Sequence, residues 1–211
     1  RDDYEQKEQR KIIDDFYKQA KDTEKDYYNE VGDFLEMLRS SGFRPGLELL
    51  KVKRSQLRYI PRPNYPKFPI LEISLIEHKK NSKGNLQKVH RQTINDYFTY
   101  NIYQPKIMKR YPNATEFDYL FFPKLKDRQK LYDKIRKDFV RVSRKLELYL
   151  KTGTPRPLYS FRHSFITQRD RKNVPTNVVS IHSNTSDEMI RKYYRSKSEY
   201  QMSLDLSKLF P

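Results

Sequence analysis

The chain has 211 residues, with 44 Lys and Arg against 27 Asp and Glu, a formal net charge of +17. That length makes one domain, or one and a half, and a hydrophobic content of 36% gives it a modest core under a highly charged surface. The absence of cysteine excludes a disulfide framework, a thiolate zinc site and a thiol nucleophile; five glycines, with neither GxGxxG nor GxxxxGK[ST], argue against a phosphate loop.

Residues 3–30 are densely charged, with Ile12, Ile13, Phe16, Tyr17 and then Tyr27, Tyr28 and Val31 at helical spacing. A second helix carries Phe34, Leu35 and Leu38 on one stripe and stops at Gly42. Pro45-Gly46 makes a turn, and Glu48, Leu49 and Leu50 open a short helix. Residues 55–60 read as a strand, followed by a loop with Pro61, Pro63, Pro66 and Pro69. Residues 70–77 alternate over part of their length, residues 81–85 form a turn cluster, and residues 86–94 return as a strand. Helices resume at 95–110. In residues 127–150, Leu131, Ile135, Phe139, Val142, Leu146 and Leu150 recur at three- and four-residue steps, opposite a face dense in Lys and Arg. Residues 153–157 (GTPRP) break that helix; others run from Leu158 to about Arg171, after Pro175, and from Ser186 to about Glu199. The expected fold is α+β and mainly helical, with a small three-stranded antiparallel sheet between two helical parts.

The charge is uneven. Residues 1–50 hold 9 basic and 13 acidic side chains, whereas residues 51–172 hold 30 and 10, more than the whole chain's excess. Such a concentration is the electrostatic footprint of a nucleic-acid binder. No run approaches the roughly 20 apolar residues of a membrane span, and no basic helix has a broad apolar face for a membrane surface. The chain begins at an Arg with no signal-peptide pattern, which reads as a portion of a longer cytosolic protein.

Three segments carry candidate chemistry. In YSFRHSFIT, Arg162 lies near a helix N-terminus beside His163, a placement suited to an anionic ligand or to local capping. In TSDEMIRKYY, Ser186 starts a helix in which Met189 and Ile190 point inward and Tyr193 and Tyr194 lie one turn further on. In SGFRPGLELL, Arg44 is fixed between a helix end and a Pro-Gly turn, suiting a phosphate clamp or an ion pair with Glu48.

In this order, on a helix–sheet–helix background, the three segments resemble the catalytic domain of the tyrosine recombinases, the phage-integrase family. The resemblance covers about residues 5–200, and it implies that residues 1–211 are such a catalytic domain, without the N-terminal helical domain that closes a clamp around DNA. It implies that Arg44 is the first catalytic arginine and Arg162 the second. Tyr194 matches the nucleophile, because it lies nine residues after Thr185, the family's separation. The lysine of the sheet hairpin falls among Lys79, Lys80 and Lys83; Lys80 is preferred because KNSK resembles the family's Lys-Thr-Gly-Lys. Two positions depart from the commonest pattern: Tyr159 stands where a His often precedes the second arginine, and Thr185 at the late His or Trp. His163 or His182 then compete for the role of general base.

The implied reaction is attack of a tyrosine hydroxyl on a DNA phosphodiester, giving a 3′-phosphotyrosyl link and a free 5′-hydroxyl. Bond energy is kept in the covalent intermediate, so neither nucleotide cofactor nor metal is implied. Two guanidiniums bind the non-bridging oxygens in fork geometry, and Lys80 protonates the leaving 5′-oxygen. The implied partners are double-stranded DNA and further copies of the chain in a tetramer, with no membrane; the implied location is cytoplasmic, at a bacterial nucleoid or in a phage-infected host. Three rival functions are a DNA-binding protein on the same fold with impaired catalysis, a type IB topoisomerase-like enzyme, and an RNA-binding module.

Overall fold

Two helices, α1 (Gln6–Thr23) and α2 (Asp26–Ser41), open the fold, so Tyr27, Tyr28 and Val31 belong to the second helix rather than the first. The computed structural model describes residues 4–23, 25–65, 67, 69–76, 89–93, 96–151, 153–183 and 185–193. The pairs Tyr17–Asp33 (2.9 Å) and Arg10–Glu36 (2.5 Å) show that α1 and α2 run antiparallel. Ile12, Ile13 and Phe16 of α1 and Val31, Phe34, Leu35 and Leu38 of α2 are buried in one core. A short α3 (Leu47–Leu50) and a 3-10 turn (Arg54–Gln56) lead into the sheet.

That sheet is antiparallel in the order β1 (Leu57–Ile60), β2 (Ile70–Ile76), β3 (Val89–Thr93), with Ile60 opposite Ile70 and Ile76 opposite Val89. The 95–110 helix is realised as one α-turn, α4 (Asp96–Phe98), running into a π-helix over Thr99–Met108 that contains Pro105. Proline lacks the N–H that an α-helix needs at this position, and a wider winding is one way to accommodate the gap. The long helix, α5 (Arg128–Lys145), starts at Asp127, whose carboxylate accepts the Lys130 N–H at 3.0 Å. It stops earlier than its periodicity predicts, because Glu147 turns to a φ of 58°. Leu150 therefore leaves the helical stripe and enters a second, two-stranded sheet of β4 (Leu150–Lys151) and β5 (Thr154–Pro155). Three helices follow: α6 (Ser160–Arg171), α7 (Thr176–Ser183) and α8 (Asp187–Tyr193). Helix α6 bridges two clusters, with Phe161 in the main core and Phe165 and Ile166 packed with Val179 and Ile190. Among the described residues, no helix is long and apolar enough to cross a membrane.

The acidic excess of the first 50 residues faces partly inward. On α2, Glu30, Asp33 and Glu36 are all buried. Each has named partners: Glu30 takes the Tyr111 hydroxyl (2.7 Å) and the Phe122 N–H, Asp33 takes Arg110 (2.8 Å) and Tyr17, and Glu36 takes Arg10 and Arg39. Burial pushes the Asp33 carboxyl up, against the opposing pull of Arg110. One cation of the later chain, Arg110, thus serves the fold at Asp33, while the cations on Glu36, Arg10 and Arg39, belong to the first 50 residues. Replacing Arg110 by alanine leaves Asp33 buried without its cation and should cost about 3–5 kcal/mol of stability; a urea midpoint little changed from wild type would refute this.

Candidate active site

The segment between α2 and α3 is held from several sides. Gly42 ends α2 with φ of 69°, its N–H bonded to the Leu38 carbonyl at 3.0 Å. A Cβ placed on Gly42 would sit 2.3 Å from Cδ1 of Phe165 on α6, so both backbone and packing demand glycine. A Gly42→Ala substitution should cost about 2–5 kcal/mol, from the left-handed backbone plus a displaced ring. Thermal or urea unfolding checks this, and a loss below about 1 kcal/mol would mean the turn relaxes freely.

Three side chains grip the carbonyls of this turn. His182 of α7 places Nε2 2.9 Å from the Ser41 oxygen, Arg162 of α6 donates from Nη1 to the Gly42 oxygen at 2.8 Å, and Tyr132 of α5 donates to the Pro45 oxygen at 3.0 Å. Arg44 emerges from the middle of this turn and is half-buried. Arg162 itself is 1% exposed. Its Nη2 donates to the Ser183 carbonyl at the end of α7 and to Thr185 Oγ1 at 2.5 Å. The structure thus gathers Arg162 and Thr185, 23 positions apart, with the Arg44 turn, more than a hundred positions away. Tyr159 precedes α6, is partly exposed, and lies edge-on to the His163 ring with centroids 4.8 Å apart. Lys80, with Lys79 and Lys83, lies outside the described residues, as does Tyr194, which follows directly on α8.

His182, one candidate for the general base, also holds this turn: besides its contact with Ser41, its ring stacks on Phe165 at 5.5 Å. Tyr132 and Arg156 escaped the sequence reading. Arg156 donates to Glu8 at 3.0 Å and to the Leu148 carbonyl at 2.5 Å, while the Tyr4 hydroxyl donates to the Arg156 carbonyl at 2.7 Å. Burial is the main cause that raises the Tyr4 hydroxyl to about 12. Tyr4 packs edge-on against Phe139 and Phe161, tying the chain before α1 to the first turn of α6. These partners lie about 150 positions apart, so no local pattern announces them. Among the described residues, no three His, Asp or Glu side chains are grouped to hold a metal ion.

On the basic face of α5, Lys130 pairs with Asp127, Lys134 lies over the Tyr27 ring at 3.7 Å, Lys145 pairs with Asp15 at 2.6 Å, and Arg141 reaches Asp138 and Gln19. Arg136, Lys137 and Arg144, together with Arg141, line a cleft of about 710 Å³ whose lining also includes Asp133, Tyr149, Pro157 and Leu158, with Arg136 at 3.9 Å from the Asp133 carboxylate. Leu158 is followed directly by Tyr159, so this cleft adjoins the start of α6.

No family model matches the sequence, and no curated protein matches it. Solved structures do match. The Tn1549 transposon integrase in complex with circular intermediate DNA superposes with a TM-score of 0.67 at 15% identity, over 99% of this chain and 67% of that one. The XerH site-specific recombinase bound to palindromic difH substrate, a post-cleavage complex, gives 0.63 at 13% identity, over 97% of this chain and 52% of that one. XerA recombinase gives 0.59 at 15% identity, over 100% and 66%. The chain therefore spans about half to two thirds of the length of these proteins. All three are tyrosine recombinases, and the chain shares their fold, an α+β arrangement dominated by helices.

Proposed function

We propose that this chain cuts and rejoins double-stranded DNA through a tyrosine–phosphate intermediate, as a site-specific recombinase or integrase. The observation that carries the reading is the convergence of Arg162, Thr185 and the Arg44 turn on the fold of recombinases. In the reaction, the Tyr194 oxygen forms a bond to phosphorus while the bond from phosphorus to the 5′-oxygen breaks. The tyrosine proton passes to a base, and the leaving 5′-oxygen takes a proton from Lys80. Arg44 and Arg162 stabilise the charge on the non-bridging oxygens, each contributing a few kcal/mol of barrier lowering at the point where that charge develops. A 5′-hydroxyl then reverses the step, on the same or another strand.

The cleft along α5 supplies the cations that hold the DNA backbone beside this centre, and assembly of copies into a tetramer on paired sites completes an exchange. Binding without cleavage is the second reading. It draws on Tyr159, a phenol where the resemblance calls for His. The two separate in one assay. A nicked suicide duplex from the element's own ends should trap wild-type protein as a denaturant-resistant adduct, and Tyr194→Phe should bind with unchanged affinity and give none. Wild-type binding without adduct would favour the second reading. Adduct lost in Tyr193→Phe but kept in Tyr194→Phe would move the nucleophile by one residue.

A further inference from the structure

We infer that Tyr132 is a positioning residue for Arg44, an inference that rests on the strand-transfer reading for its kinetic consequence only. Arg44 stands between two flanks of one turn. The N-terminal flank is doubly held, by His182 on the Ser41 carbonyl and Arg162 on the Gly42 carbonyl. Gly42, in the left-handed region, is the conformationally permissive point of that flank. On the C-terminal flank, the Tyr132 hydroxyl donates to the Pro45 carbonyl at 3.0 Å.

The three donors come from α7, α6 and α5, so the path of Arg44 is set by three helices at once. Phe43 beside it is 1% exposed and fills the main core. With both flanks held, the guanidinium projects from a fixed Cα; with the Pro45 hold released, the segment after the buried Phe43 loosens. Tyr132 also belongs to the helix that lines the basic cleft, and the Arg136 guanidinium lies 5.7 Å from its ring centroid. The hydroxyl therefore ties the position of Arg44 to the element proposed to carry the DNA backbone. A displacement of about 1 Å at a reacting centre can cost on the order of 100-fold in rate.

Tyr132→Phe is the decisive variant, because it removes one hydroxyl and keeps the ring. Two quantities are read. The first is the order of the Arg44 Nε–Hε group by nitrogen-15 relaxation, with that of Arg162 as the internal reference. Order should fall at Arg44 and hold at Arg162, and unchanged order at Arg44 would overturn the inference. The second is single-turnover adduct formation at saturating duplex. The rate should fall about 10- to 100-fold with the dissociation constant for DNA unchanged within about twofold, the pattern of a group acting on the transition state alone. An unchanged rate in an active protein, or weakened binding that accounts for the whole loss, would also overturn it. If wild-type protein forms no adduct, the strand-transfer reading fails, and the order of Arg44 still decides whether Tyr132 positions it.

Discussion

Arg162→Ala should abolish cleavage and also weaken the fold, and the two losses have different causes. The guanidinium is buried and donates to the Gly42 and Ser183 carbonyls and to Thr185 Oγ1. Alanine leaves those acceptors inside the protein without their donor, at about 1–3 kcal/mol each where water does not enter. Loss of activity in Arg162→Ala is therefore ambiguous by itself. Arg162→Lys is the informative companion. It keeps a cation but cannot donate in two directions from a planar fork. It should remain folded, bind DNA, and cleave at least about 100-fold more slowly. Urea unfolding and adduct formation on the same preparations separate the effects. Cleavage by Arg162→Lys at the wild-type rate would remove Arg162 from the chemistry and leave it a structural bridge between α6, α7 and the Arg44 turn.

The combined replacement of Arg136, Lys137 and Arg144 by alanine should lower DNA affinity sharply and flatten its salt dependence. These side chains line the open cleft, where a phosphate can replace their water. Each phosphate that is no longer neutralised removes about 0.9 from the slope of log K against log salt, so three such phosphates should remove about 2.7. Lys145→Ala is the control. Its ammonium is engaged by Asp15 at 2.6 Å on the α1 side, so its loss should leave the slope nearly unchanged. The Lys145 end of that pair is half-exposed, while the Asp15 carboxylate is largely buried. Equal changes in slope for Lys145 and for the cleft cations would show that DNA responds to net charge alone. Salt titrations of binding at fixed pH give both slopes.

Much of the architecture was legible in local pattern. Ile12, Ile13 and Phe16, and Leu131, Ile135, Phe139 and Val142, recur at helical steps and are buried as that spacing implies. Gly42 read as a helix stop, and it caps α2 in the left-handed conformation. Three strands in the expected order form the sheet. What escaped depends on partners distant in sequence. Nothing local distinguishes the buried Glu30, Asp33 and Glu36 from solvated acids, because the groups that compensate them include Tyr111, Arg110 and Arg10 on other elements. The β4–β5 ribbon has two residues in each strand, too few for alternation to be visible. The basic stripe of α5 read as one face; Asp15 and Gln19 of α1 engage Lys145 and Arg141 on one side of it, which only the fold shows. At the candidate site, Arg44 and Arg162 stood out through motif resemblance, whereas Tyr132 and the holding role of His182 required the fold.

The most direct test of the central claim is to identify the atom that carries the DNA. Wild-type protein trapped on a suicide duplex should be digested and the nucleotide-bearing peptide sequenced by mass spectrometry. The expected product is a 3′-phosphate esterified to the hydroxyl of Tyr194, with a free 5′-hydroxyl on the released strand. Attachment at a residue other than Tyr194, or a 5′-phosphate linkage, would contradict the assignment, and stable binding with no covalent product would contradict strand transfer itself.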